Sequence, residues 1–198
     1  MCAYKRKDGY YYKAKKEGYR SRAVYKLKQL DDKFNIFSSE DVVVDLGAAP
    51  GSWSQYAVER VGEDNVIAVD LQRMRDIDGV DVYQGDLTDD ETLNRLSIIA
   101  GDVDVVISDM APNISGNYSM DQARSVYLAS RALEFCKVAL KPGGKLVVKV
   151  FQGDDFEDYL EMVNRYFSFV RCSSPKASRD SSSEMYVIAK GFQNIQKD

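Results

Sequence analysis

The run Lys145-Leu146-Val147-Val148-Lys149-Val150-Phe151 places an amine, Lys149, where a buried strand calls for an apolar side chain. An ammonium there needs ionic partners, a channel to solvent or a neutral form, because burying it unpaired is costly. Two carboxylates stand at strand ends where they can meet it. Asp109, in Ser108-Asp109-Met110-Ala111-Pro112-Asn113, follows the apolar run Val103–Ser108. Glu184, in Ser182-Ser183-Glu184-Met185-Tyr186, opens the final strand. The plain alternative is a strand-end lysine whose head reaches water along its own stem. The chain contains no histidine, which excludes Ser-His-Asp triads, Cys–His pairs and most zinc sites. Acid–base chemistry therefore falls to Lys, Asp, Glu, Tyr or Cys.

A second set of residues reads as a ligand cradle. The first strand runs into Asp45-Leu46-Gly47-Ala48-Ala49-Pro50-Gly51-Ser52-Trp53, whose small residues let the backbone approach a ligand just before a helix starts. The loop is not G-x-G-x-x-G, since Pro50 precedes Gly51 and no third glycine follows, nor is it a phosphate-binding G-x-x-x-x-G-K-[ST]. Asp45, Asp70, Asp86 and Asp109 close successive strands, and the loop holds no Lys or Arg to meet a pyrophosphate. Such a pocket suits a cationic centre carrying a ribose and no phosphate, as in S-adenosylmethionine. Asp70, nineteen residues beyond Gly51, is placed to accept from two ribose hydroxyls. Asp86, in Gly85-Asp86-Leu87, is placed near the base and its exocyclic amino group. Any one of these aspartates also has a plain reading as a helix cap or turn residue.

The elements that must position these groups alternate. Strands are expected near Val42–Leu46, Asn65–Asp70, Val80–Gln84, Val103–Ser108 and Lys145–Phe151, and helices near Ser52–Val61, Asp90–Ala100, Met120–Leu140 and Asp154–Tyr166. An earlier helix, from Ser21 as N-cap to about Asn35, carries the stripe Val24, Leu27 and Leu30. Two more strands, Phe169–Ser173 and Met185–Ala189, are joined by a polar loop and suit an antiparallel edge. The pattern predicts an α/β fold, a doubly wound, Rossmann-like, mostly parallel seven-stranded sheet with an antiparallel last strand. Ligands in such sheets bind outside the carboxyl ends of the strands, where the residues above cluster.

Charge is unevenly spread. The formal net charge is −4, yet residues 1–28 hold ten Lys or Arg against Asp8 and Glu17, a local +8 that leaves −12 for the rest. Six of the thirteen tyrosines, Tyr4, Tyr10, Tyr11, Tyr12, Tyr19 and Tyr25, lie in the same stretch. Cations for phosphates and flat rings for bases suit RNA, while a solvated tail is the plain alternative. Residues 1–20 read as a basic, Tyr-rich extension and residues 21–198 as the catalytic domain. Three cysteines without CxxC spacing, no leader and no apolar span point to a cytoplasmic protein with no membrane partner and no metal requirement.

Taken together, the motifs resemble the FtsJ/RrmJ (RlmE) family of ribosomal RNA 2′-O-methyltransferases. The likeness runs from Ser21-Arg22-Ala23-Val24-Tyr25-Lys26-Leu27 through the glycine loop and Ser108–Asn113 to Ser183-Glu184-Met185-Tyr186. It implies a class I methyltransferase that moves a methyl group from S-adenosylmethionine to the ribose 2′-hydroxyl of a uridine in large-subunit ribosomal RNA, free or within the subunit. It implies Lys149 as catalytic base, with Lys26, Asp109 and Glu184 orienting it and the substrate. It also implies cofactor contacts at Gly51, Trp53, Asp70, Asp86 and Asp109. The residues alone leave open whether Lys149 takes the proton or only steers the hydroxyl. Alternatives are a tRNA or mRNA-cap substrate and a non-catalytic RNA-binding module. The short chain without large insertions favours ribosomal RNA. With no further domain expected after Asp198, the basic start is expected to supply much of the RNA grip.

Overall fold

A computed structural model describes residues 8–179 and 183–194. Tyr4, Lys5, Arg6, Lys7 and Ser182 of the motifs above lie outside the described residues. The elements are α1 (Gly9–Glu17), α2 (Val24–Phe34), β1 (Val43–Leu46), α3 (Ser52–Val61), β2 (Val66–Asp70), β3 (Val80–Gln84) and α4 (Asp90–Ala100). There follow β4 (Val103–Ser108), α5 (Tyr118–Ala139), β5 (Leu140–Phe151), α6 (Phe156–Asn164), β6 (Phe167–Ser173) and β7 (Glu184–Phe192). They build one seven-stranded sheet in the order β3-β2-β1-β4-β5-β7-β6. Strands β1 to β5 are parallel, and β7 runs antiparallel to both β5 and β6.

Strand alternation divides the interior into two cores. Val44, Leu46, Val106, Leu146, Val148 and Val150 face one, beneath α4, α5 and α6. Val43, Val105, Ile107, Val147, Tyr186 and Ile188 face the other, beneath α2 and α3. Odd-numbered positions of β5 after Gly144 point to this second core, so Lys149 lies on the same face as Val147.

The last two strands form the expected antiparallel edge, with β7 inside β6. Strand β7 is inserted between β5 and β6 because both its faces are apolar: Val187 and Ala189 fill one core, Tyr186 and Ile188 the other. Strand β6, half exposed, forms the rim. Strand β5 also begins five residues earlier than Lys145, directly after α5. A register shift against β4 between Val103 and Val105 absorbs the Lys141-Pro142-Gly143-Gly144 segment.

Ser21 does not cap α2. That helix starts at Val24 with Ala23 before it, and the Ser21 hydroxyl instead lies 2.7 Å from Ser52 Oγ at the start of α3. The basic start contains α1, with Asp8 as N-cap accepting from Tyr11 N at 3.0 Å and Gly18, at φ +82°, closing it. Ala14 is buried, and Tyr10 and Tyr19 pack on the second core.

Candidate active site

The chain runs outward from β1 to β2 and β3, then returns to place β4 on the other side of β1. Ligand crevices open at such a switch point, outside the carboxyl ends of the two strands. Here those ends deliver the glycine loop and Asp109. Gly47 (φ +75°) must be glycine, since a Cβ there would stand 2.1 Å from Met110 Cγ. Its N–H and that of Ala48 donate to Val69 O at 2.8 and 3.1 Å, which ties the loop to β2.

Asp70 ends β2 with each oxygen fixed by a backbone N–H, Ala49 on Oδ2 at 2.9 Å and Gln72 on Oδ1 at 2.7 Å. Asp86 accepts from the N–H and hydroxyl of Thr88, bonds that hold its carboxyl below the usual range. A cavity of about 450 Å³ opens between them, with Asp70, Asp86 and Asp109 in its lining and no lysine or arginine. This donor set fits S-adenosylmethionine: carboxylates for hydroxyls, an amino group and a sulfonium, and nothing for a phosphate.

Gly51 and Trp53 take other places. Gly51 (φ +104°) turns the chain into α3, where a Cβ would meet Ile77 Cδ1 at 2.4 Å. Trp53 is buried, donates from Nε1 to Ala23 O at 2.9 Å and leans on the Tyr186 ring, 5.8 Å between centroids. It joins Asp45, Gly47 and Asp109 around a smaller void of about 30 Å³ behind the glycine loop. Arg20, expected only as one cation of the basic start, clamps the outside of the loop. Its guanidinium donates to the carbonyls of Pro50 (3.2 Å), Arg75 (2.8 Å) and Asp76 (2.5 Å).

Lys149, Asp109, Lys26 and Glu184 come together. Lys149 is 6% exposed, and its Nζ lies 3.0 Å from Asp109 Oδ1 and donates to Asp109 O at 2.5 Å. The lysine is therefore paired, not a snorkelling strand end. Register carries the rest: Lys149 lies opposite Tyr186 and Phe151 opposite Glu184 across β5 and β7. Glu184 receives Lys26 Nζ at 2.6 Å, from one turn into α2. Tyr186, absent from the expected site, donates to Asp109 Oδ1 at 2.6 Å and lies 5.7 Å from Lys26 Nζ. Its place directly across the ladder from the lysine was the available signal.

Charge is balanced locally. Burial opposes ionisation of Asp109, but Lys149, Lys26 and the Tyr186 hydroxyl outweigh it and hold the carboxyl below its ordinary range. The Tyr186 phenol is pushed well up by burial and by the neighbouring Asp109 and Glu184. At Asp45, 1% exposed, burial raises the pKa to about 7 despite a 2.6 Å bond from Ser54 Oγ, with Asp109 and Asp70 adding repulsion. Its Oδ1 has no hydrogen-bond partner among the described residues.

Residues 19–192, which contain all of this machinery, match the FtsJ-like methyltransferase family. The chain belongs to that family. Relatives matched over most of this chain agree. "Ribosomal RNA large subunit methyltransferase E" of Natronomonas pharaonis is 54% identical over 187 residues, covering 94% of this chain and 74% of that protein. The same-named protein of Methanococcoides burtonii is 49% identical, covering 93% and 70%. A solved structure from Plasmodium falciparum, described as a ribosomal RNA methyltransferase, is 28% identical, with TM-score 0.77 over 88% of this chain and 98% of that one. The acidic crevice and the paired lysine share Asp109, which lines the one and bonds the other. Among the described residues no helix is long and apolar enough to cross a membrane.

Proposed function

We propose that the protein transfers a methyl group from S-adenosylmethionine to the 2′-hydroxyl of a uridine ribose in large-subunit ribosomal RNA. The observation that carries this reading is Lys149, a buried amine bonded to Asp109, which itself lines the acidic cavity. S-adenosylmethionine supplies an electrophilic methyl group on a sulfonium. Asp70, its orientation locked by two backbone donors, would accept from the ribose hydroxyls of the cofactor, and Asp86 in the same cavity lining would accept from the amino group of its base. A ribose hydroxyl is a weak nucleophile at neutral pH, so holding it in line and removing its proton as the C–O bond forms are what the protein must contribute.

Lys149 steers the hydroxyl oxygen and is the side chain placed to accept the proton released as the C–O bond forms and the methyl–sulfur bond breaks. Asp109 fixes the amine in place, with Tyr186 holding the carboxylate from its other side. The Lys26–Glu184 pair walls the acceptor side, with neither charge left uncompensated. Support for the RNA comes from the names of the relatives at 49–54% identity and from the basic, aromatic start of the chain. The residue types suit a nucleic acid better than a small metabolite.

Mapping ribose methylation on large-subunit ribosomal RNA after incubation with protein and cofactor tests the reading. One 2′-O-methyluridine that appears with the wild type and not with Lys149→Ala is the expected result. Methylation of a base, or of tRNA or capped mRNA in preference, would replace it.

A further inference from the structure

Beyond the reacting nucleotide lie two further cavities that the residues around Lys149 do not use. One, of about 320 Å³, starts at the Lys26–Glu184 pair and is bounded also by Arg22 and Arg179. The other, about 560 Å³ and larger than the acidic cavity, is lined by Asp8, Tyr10, Lys13, Arg22, Lys176 and Arg179 among others. Arg22 and Arg179 line both, so the two adjoin and form one groove that leads away from the Lys26–Glu184 pair.

The groove has two walls distant in sequence, α1 with the start of α2 on one side and the 174–179 loop on the other. They are braced together. Arg22 pairs with Asp8 and donates to Ala177 O at 2.6 Å, and Ala177 N donates to Gln29 Oε1 at 3.0 Å. Ala177 itself is fully buried. The groove is therefore preformed rather than a gap between loose segments. Among the described residues, Lys13, Arg22, Lys26, Lys176 and Arg179 line it against the two carboxylates of Asp8 and Glu184, in a chain whose net charge is −4. Tyr10 adds a ring, lying 5.5 Å from the Arg22 guanidinium.

We propose that this groove carries the single-stranded RNA next to the target nucleotide, with one neighbouring nucleotide seated in the larger cavity. The cavity lies within the roughly 300–1,000 Å³ range of small-ligand sites. Lys13 and Lys176 meet its phosphates, and the Tyr10 ring offers an aromatic surface to its base, the combination that grips single strands without reading sequence. This rests on RNA being the substrate. It adds which face the strand follows and gives the 174–179 loop a share in holding it.

The test uses the full chain and a fluorescein-labelled oligouridylate, with binding followed by anisotropy across a salt series and no cofactor present. The double variant Lys13→Gln/Lys176→Gln keeps α1 helical and removes two cations. Affinity near 0.1 M salt is expected to fall about tenfold, and the log–log salt slope to become shallower by about 1.4, at roughly 0.7 per single-strand phosphate contact. Tyr10→Leu is expected to weaken binding several-fold with an unchanged slope. Lys137→Gln, on α5 away from the groove, serves as control and should change neither. S-adenosylmethionine affinity of the double variant should equal that of the wild type, which excludes a general folding defect.

Equal affinity and slope in the double variant and wild type would overturn the proposal, as would an equal loss with Lys137→Gln or a preference of the groove for an acidic peptide over RNA. Methylation assays are scored separately. A wild type that binds RNA through this groove yet leaves its 2′-hydroxyls unmodified would sink the proposed reaction and leave the groove standing.

Discussion

Asp45 at the end of β1 and Asp109 just beyond the end of β4 lie on neighbouring strands of one sheet, and protein surroundings move their acidities in opposite directions. Burial opposes the charge of both. Asp45 is 1% exposed and has one hydroxyl donor, with a second oxygen unpartnered among the described residues. Asp109 keeps 21% of its side chain exposed, where it lines the large cavity, and has two ammonium groups and a phenol about it. Behind the glycine loop the sheet thus holds a carboxyl poised near neutrality, and in the crevice a fixed anion. Partners decide the sign, and burial sets how much the partners must offset.

The largest effect that probes this contrast is on the Asp109 side. Lys149→Ala should lower single-turnover methyl transfer by at least about 10²–10⁴-fold. It also leaves a buried carboxylate short of its main partner, so a stability loss of up to roughly 3–5 kcal/mol is expected, tempered by Lys26 and Tyr186. Lys149→Arg keeps the charge for Asp109 and cannot accept a proton. It should restore melting temperature without restoring rate, and an active arginine variant would remove Lys149 as base.

On the Asp45 side the reading is a pH dependence of stability. A carboxyl raised from 3.8 to about 7 on folding binds an extra proton in the native state between those values. Stability is then greatest on the acid side of that window and declines as pH climbs from about 4 to about 7, by an amount of order 4 kcal/mol. Asp45→Asn should flatten that slope and raise the denaturation midpoint at pH 8. Parallel pH profiles for the two proteins would assign the slope elsewhere.

Tyr186→Phe sharpens the comparison by removing one support of Asp109 and nothing from Asp45. Losing a bond to a charged acceptor costs about 1.5–3 kcal/mol. The Asp109 carboxyl should titrate higher than in the wild type, as a carboxyl-selective NMR titration would show. Asp70→Ala, at the cofactor end of the crevice, should weaken S-adenosylmethionine binding roughly 5- to 150-fold, equivalent to about 1–3 kcal/mol. Unchanged affinity by calorimetry would move the cofactor's ribose away from Asp70.

The strands that carry the site could be read along the chain, because each is a short apolar run closed by an aspartate or a glycine turn. Lys149 stood out for breaking such a run. Its bond to Asp109 follows from sheet order, with β4 beside β5, which the strand–helix alternation implies. What escaped reading depended on partners far apart in sequence. Tyr186 looks like one more aromatic in a strand until register sets it opposite Lys149. Arg20 looks like one cation in a basic run until its guanidinium is seen spent on three carbonyls. Helix α1 has few apolar residues to announce it, yet Ala14 is buried and Tyr10 and Tyr19 pack on the core. Deleting residues 1–18 would uncover that packing, so neutral substitutions such as Lys13→Gln report RNA contact more cleanly than truncation.

The placement of β7 has a consequence for the order in which a newly made chain gains its parts. The acidic crevice uses β1 to β4 and their loops, all encoded before residue 130. Glu184 and Tyr186 arrive only with β7, which must enter between β5 and β6 and, among the described residues, is the one strand beside β6. Since synthesis delivers the N-terminal part first, a nascent chain can shape its cofactor cradle well before it can set Lys149 against its full complement of neighbours. Binding competence is thus expected to precede catalytic competence during biogenesis, and an emerging polypeptide would carry no premature transferase.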